Sequence, residues 1–157
     1  MKSNQVKLLK EKKMGKESND EDMNFGYRTS AVKSKGLIVV AADFALRKGD
    51  AIKIKSTMDD LAAKRRDKQP LEYPSAGSTF KRPEGFFAGK LIQDSGLMGY
   101  SVGGASVSDK HAGFVINKDK ASATDIYRLI REVRETVYAD TGVRLEPEVI
   151  MLGEFRM

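Results

Sequence analysis

The sequence predicts an α+β fold on three observations. A β-branched run, Ile38-Val39-Val40, sits where a strand would be expected. Two longer segments, one from Ala51 and one from Ser122, repeat apolar residues at helical spacing. Between them, short apolar stretches are broken by glycines. The resulting order is strand, helix, short helix, strands, helix, strand, with no internal repeat, and it fits an α+β arrangement.

The elements follow in chain order. The first 22 residues hold few large apolar side chains beyond Val6, Leu8 and Leu9, so a disordered segment or frayed helix is expected there. From Gly36, "GLIVVAADFALRKGD" reads as a strand closed by a Lys-Gly-Asp turn. "AIKIKSTMDDLAAKRRDKQP" spaces Ile52, Ile54, Met58, Leu61 and Ala62 as a surface helix ending before Pro70. "PEGFFAGKLIQDSGL" reads as a short helix from Pro83 to Gly96, with Phe86, Phe87, Leu91 and Ile92 as its buried stripe. "MGYSVGGASVS" and "HAGFVINKD" read as two strands. Ile126, Leu129, Ile130, Val133 and Val137 mark a helix, with Ser122 and Asp125 as a capping pair and Gly142 as its stop. "VRLEPEVIMLGEF" reads as a last strand, in which Pro147 requires an edge, bulge or bend.

Composition narrows the functional classes. With 157 residues and 40% hydrophobic content the chain is long enough for a core of its own. No apolar run approaches the roughly 20 residues of a membrane helix, so no membrane partner is expected. The absence of cysteine excludes disulfides and thiolate metal sites and agrees with a cytoplasmic location. One histidine, His111, argues against a transition-metal site, so no metal is expected. The formal charge of +6 comes mostly from residues 1–16, where six lysines face one acid. "ESNDED" follows at once with four acids, so a solvated tail is favoured over a nucleic-acid arm.

The segment "LEYPSAGSTFKRPEGFFAGKLI" looks like a phosphate loop, but only three residues separate Gly85 from Gly89, and Leu91 follows Lys90 where a hydroxyl is needed. "GYSVGGAS" lacks the spacing of a dinucleotide loop. Three polar positions stand out from their surroundings: Arg28 in "FGYRTS", Ser78 in a glycine-bracketed turn, and Glu148 among apolar residues of the expected last strand. Taken singly, each has a bland reading as a surface arginine, a turn serine or an edge glutamate. A Ser-His-Asp triad is not supported, because "SAGST" lacks the GxSxG elbow.

Taken together, "FGYRTS", "YPSAGSTFKRP", "AGKLIQDSGLMGYSVGGASVSDKHAGFVIN" and "LEPEVIMLGEF" resemble, in order and spacing, the carboxyl-terminal half of the UDP-N-acetylenolpyruvoylglucosamine reductase family. The resemblance covers roughly residues 20–156 and points to the shorter subtype. It implies a flavoenzyme of peptidoglycan synthesis that uses FAD and NADPH on UDP-N-acetylglucosamine enolpyruvate. Residue by residue, it places the active-site arginine on Arg28, the proton-donating serine on Ser78 and the glutamate on Glu148, and it sets His111 near flavin and substrate. Lys81, Arg82 and Lys90 are the candidates for a cation that assists Ser78 or binds substrate. It also implies an appended polar segment at 1–22, the last part of a flavin domain at 23–64 and a substrate domain at 65–157. The family's amino-terminal half, with most of the FAD surface, has no counterpart in these residues. FAD is therefore expected to bind weakly or not at all, and a separate flavin-domain chain becomes a candidate partner. The competing expectations are a redox-inactive UDP-sugar-binding module and a basic nucleic-acid binder.

Overall fold

A computed structural model describes residues 5–10 and 13–155, with side chains from residue 22 onward. The chain divides into two units, Met1–Ile54 and Lys55–Met157.

In the first unit β1 (Gln5–Lys10) and β2 (Lys13–Asn19) form an antiparallel hairpin, and β1 pairs on its other side with β3 (Ile38–Asp43), giving the order β2-β1-β3. Strands 5–10 and 13–19 stand where the sparse apolar content suggested a disordered segment or frayed helix. A strand ladder is built from backbone groups, so it can form where side chains give little pattern. The expected lysine tail at 1–16 lies partly outside the described residues, at 1–4 and 11–12. Short helices α1 (Asp20–Met23) and α2 (Ala31–Ser34) come next, with Met23 and Ala31 buried. The strand expected at Ile38 is present, yet Ile38, Val39 and Val40 are all exposed.

Helix α3 (Ala51–Lys68) forms as the spacing predicts and stops before Pro70, which restricts the residue ahead of it. Its apolar residues Ile52, Ile54, Met58 and Leu61 are exposed.

The second unit contains a four-stranded antiparallel sheet, ordered β4 (Ser75–Ser78), β7 (Phe114–Asn117), β6 (Ala105–Val107), β5 (Ser101–Val102). Glycines Gly103 and Gly104 turn β5 into β6, so the stretch from Met98 supplies a hairpin rather than one strand. A Cβ at Gly104 would overlap the backbone carbonyl of Asp119, so only glycine allows that approach. Helix α5 (Ala123–Thr141) buries Leu129, Ile130, Val133 and Val137 in a cluster with Ala105, Val107, Val115, Leu91 and Ile92. Its capping box is formed: Asp125 N–H donates to Ser122 Oγ at 3.1 Å, and Ser122 N–H donates to Asp125 Oδ2 at 2.9 Å. Gly142 ends the helix in the left-handed conformation.

Two expectations change. Helix α4 is confined to Ala88–Asp94, because Gly85 at φ 75° and an extended Phe87 keep the chain out of helix before Ala88. Leu91 and Ile92 are buried as expected, whereas Phe86 and Phe87 are exposed and the Arg82 guanidinium lies 4.0 Å above the Phe87 ring. The segment from Val143 is not a strand but an extended run that touches the sheet at one bridge, Phe80 to Pro147. Proline has no N–H to continue a ladder. Ile150 and Leu152 beyond it are exposed.

Candidate active site

Ser78 is the last residue of β4, not a member of a turn. Ser75 pairs with Ile116 and Ser78 with Phe114, so three steps on β4 match two on β7. That extra residue is a β-bulge, and Gly77, at φ 85°, supplies the positive φ it contains. The bulge changes the direction in which the strand presents Ser78, whose side chain is exposed.

The next residue, Thr79, is 2% exposed and ties the region together. Its N–H donates to the Gly113 carbonyl at 2.9 Å, and its Oγ1 accepts from Val115 N–H at 2.9 Å. Its carbonyl accepts from Glu148 N–H at 2.9 Å. Glu148, half-buried, is thereby fixed beside the end of β4 although 70 positions separate it from Ser78. His111 joins the same junction: its Nδ1 accepts from Gly113 N–H at 3.0 Å, so a neutral ring carries its proton on Nε2. The ring meets Phe114 edge-on, with centroids 5.0 Å apart. Ser78, Glu148 and His111 are thus held around one backbone knot. Sequence reasoning passed over Thr79; the signal available was strand alternation, which turns it inward when Ser78 faces out.

The three candidate cations have structural neighbours. Lys81 pairs with Glu146, and its N–H donates to the Glu146 carbonyl at 2.8 Å. Arg82 Nε lies 3.3 Å from the Phe86 carbonyl it donates to. Lys90 pairs with Asp94 one helical turn on.

Arg28 belongs to the first unit. Gly26 and Thr29 exchange backbone hydrogen bonds of 3.0 and 3.2 Å, so Tyr27 and Arg28 form the tip of a tight turn. Arg28 holds φ 56°, a left-handed conformation uncommon for a residue with a Cβ.

A family model described as "UDP-N-acetylenolpyruvoylglucosamine reductase, C-terminal domain" matches residues 69–152. The chain is similar to the UDP-N-acetylenolpyruvoylglucosamine reductase of Agathobacter rectalis, 60% identical over 135 residues that make up 86% of this chain and 43% of that one. It is also similar to that of Exiguobacterium sibiricum, 58% identical over 134 residues, 85% of this chain and 44% of the relative. Among solved structures it resembles the UDP-N-acetylenolpyruvylglucosamine reductase of Thermus caldophilus, with a TM-score of 0.77 and 31% identity over 92% of this chain and 51% of that one. The chain therefore spans less than half the length of the two curated relatives.

Proposed function

The chain belongs to the UDP-N-acetylenolpyruvoylglucosamine reductase family through that family's carboxyl-terminal domain, and on this footing we propose that it forms the substrate half of such a reductase. Its substrate is then the enolpyruvyl ether of UDP-N-acetylglucosamine, reduced to UDP-N-acetylmuramate for peptidoglycan in the cytoplasm. The observation that supports this reading is the Thr79 knot, which ties the backbone of Glu148 to the residue after Ser78.

Reducing the enol ether adds a hydride to the terminal carbon and a proton to its neighbour. Side chains cannot supply a hydride; FAD, with NADPH as its reductant, would supply that chemistry if bound outside these residues. These residues do not fit a flavin unaided. Their glycines lack a pyrophosphate-loop spacing. What the chain does supply is charge control and a proton. Negative charge grows on the carboxylate side of the substrate as hydride arrives, and the family resemblance assigns Arg28 and Glu148 to the side chains that answer it where it develops. Ser78 Oγ then gives the proton to the adjacent carbon. Its exposure at the bulge leaves it open to substrate. The resemblance sets His111 near the substrate, and the serine draws its replacement proton through Lys81, Arg82 or Lys90 or through water.

The remaining half, carrying the flavin, is proposed as a separate segment or partner chain that covers the exposed β3 and α3. Mixing the purified chain with FAD and desalting it is expected to leave no flavin absorbance. Adding the amino-terminal half of the Agathobacter rectalis relative is expected to restore both retained flavin and NADPH-driven turnover. Ser78→Ala in that pair should lower kcat by about 10²–10⁴ while leaving substrate affinity near its starting value. Turnover unchanged by Ser78→Ala would remove Ser78 from the reaction. UDP-sugar binding without turnover in the restored pair would favour the second reading, a redox-inactive UDP-sugar-binding module, which is also consistent with the poor fit to flavin.

A further inference from the structure

We propose that the groove between the later turns of α5 and the segment after it binds a compact dianion of the phosphate class, gripped by Arg134 and Arg144. The groove has a volume of about 190 Å³ and is lined by Arg131, Arg134, Glu135, Tyr138, Arg144 and Leu145. Positions 131, 134, 135 and 138 are three and four residues apart, so they share one side of the helix. That side is distinct from the buried stripe of Leu129, Ile130, Val133 and Val137.

Three guanidinium groups and one carboxylate leave the lining with two net positive charges. Glu135 accounts for its share locally, since its Oε1 lies 3.6 Å from Arg131 Nε. The excess therefore rests on Arg134 and Arg144, neither of which forms an ion pair among the described residues. Both are already held in place. Arg134 Nε donates to the Leu145 carbonyl at 2.9 Å, which turns its outer amino groups away from that bond. The Arg144 guanidinium lies 4.3 Å above the Tyr138 ring, and a stacked guanidinium keeps its in-plane N–H donors available.

Two positioned arginine forks suit an oxyanion with several acceptor oxygens, and arginine recognises phosphate by paired hydrogen bonds. A dianion would cancel the excess charge, and the side chains would lose little freedom on binding because they are anchored beforehand. The carboxyl end of α5 carries partial negative charge and opposes an anion, so the guanidinium groups must supply the affinity. Dissociation constants on the order of a millimolar follow for a bare ion held by two exposed contacts. The groove lies within the second unit and uses none of the residues assigned to the reduction.

The test is a titration of the full ¹⁵N-labelled chain with inorganic phosphate at fixed pH and at ionic strength held constant with sodium chloride. The expected result is saturable amide shifts concentrated at residues 131–145. Arg144→Gln should weaken binding at least tenfold, Arg144→Lys should weaken it less, and Lys118→Gln, just past the end of β7, should not change it. Arg144 is the chosen site because it is exposed and carries no backbone bond that the fold requires. A parallel titration with phenyl phosphate separates sources: tighter binding than inorganic phosphate assigns the site to a small organic phosphomonoester, and equal or weaker binding assigns it to free phosphate. Linear shifts without saturation, or unchanged affinity in Arg144→Gln, would overturn the proposal. No step depends on flavin or turnover, so failure here leaves the reductase reading untouched.

Discussion

Replacing Thr79 with valine keeps the side chain's shape and removes one oxygen. Val115 N–H then loses its acceptor inside the sheet, where an unpaired backbone donor costs about 1–3 kcal/mol. An unfolding free energy from urea denaturation lowered by that amount is expected, and a change within error would mean that water replaces Oγ1. Asp125 carries a second residue-scale expectation. Hydrogen bonds from the Ser122 backbone and side chain hold its carboxyl below the ordinary carboxylate range against the opposing effect of burial, with smaller help from the Gly104 backbone and the Arg128 charge. A carboxyl shifted down stabilises the fold above its unfolded value, about 3.9, and loses that contribution as pH falls through the folded value. Asp125→Asn should therefore be less stable than the parent at neutral pH, with the gap closing as the solution is taken below about pH 4. A gap equally wide at pH 7 and pH 3 in thermal melts would assign the effect to packing instead.

The elements show where local pattern was enough. Helix α5 follows from its apolar spacing, its Ser122–Asp125 box and Gly142, because each of these signals acts within a few residues. Ser122→Ala should lower stability by about 0.5–2 kcal/mol, measured by calorimetry at neutral pH, since it leaves the Asp125 N–H without its cap. Helix α4 was legible in part: Leu91 and Ile92 are buried, but the proline and glutamate ahead of them begin a turn and not a helix. The segment at Val143 was misread as a strand because alternation of apolar residues does not say whether a partner strand is within reach. Its partner is a single bridge at Phe80, decided by how the sheet ends. Ser78 was likewise read as a turn residue. Glycine marks turns and bulges alike, and only the pairing with β7 tells them apart.

At the scale of the molecule the conspicuous feature is apolar surface left bare. Ile38, Val39 and Val40 of β3 and Ile52, Met58 and Leu61 of α3 are exposed, although burying such a side chain from full exposure is worth about 1.5–3 kcal/mol and each would gain the share its remaining exposure allows. Such a surface fits a chain that spans less than half the length of its curated relatives. Adding the amino-terminal half of a relative is expected to raise the melting temperature and protect the β3 amides from hydrogen exchange. An unchanged exchange rate at 38–43 would place the contact elsewhere.

The sequence by itself determined the α+β class, helices α3 and α5, the strand at Ile38 and the family resemblance. Each of these rests on residues close together in the chain or on a motif order that spacing preserves. The tertiary structure decided that Ser78 ends a bulged strand, that Glu148 is tied beside it through Thr79, and that Arg134 and Arg144 face one groove. Those facts depend on which backbone groups find each other across tens of residues, and a hydrogen bond between distant segments leaves no periodic trace in the sequence that forms it.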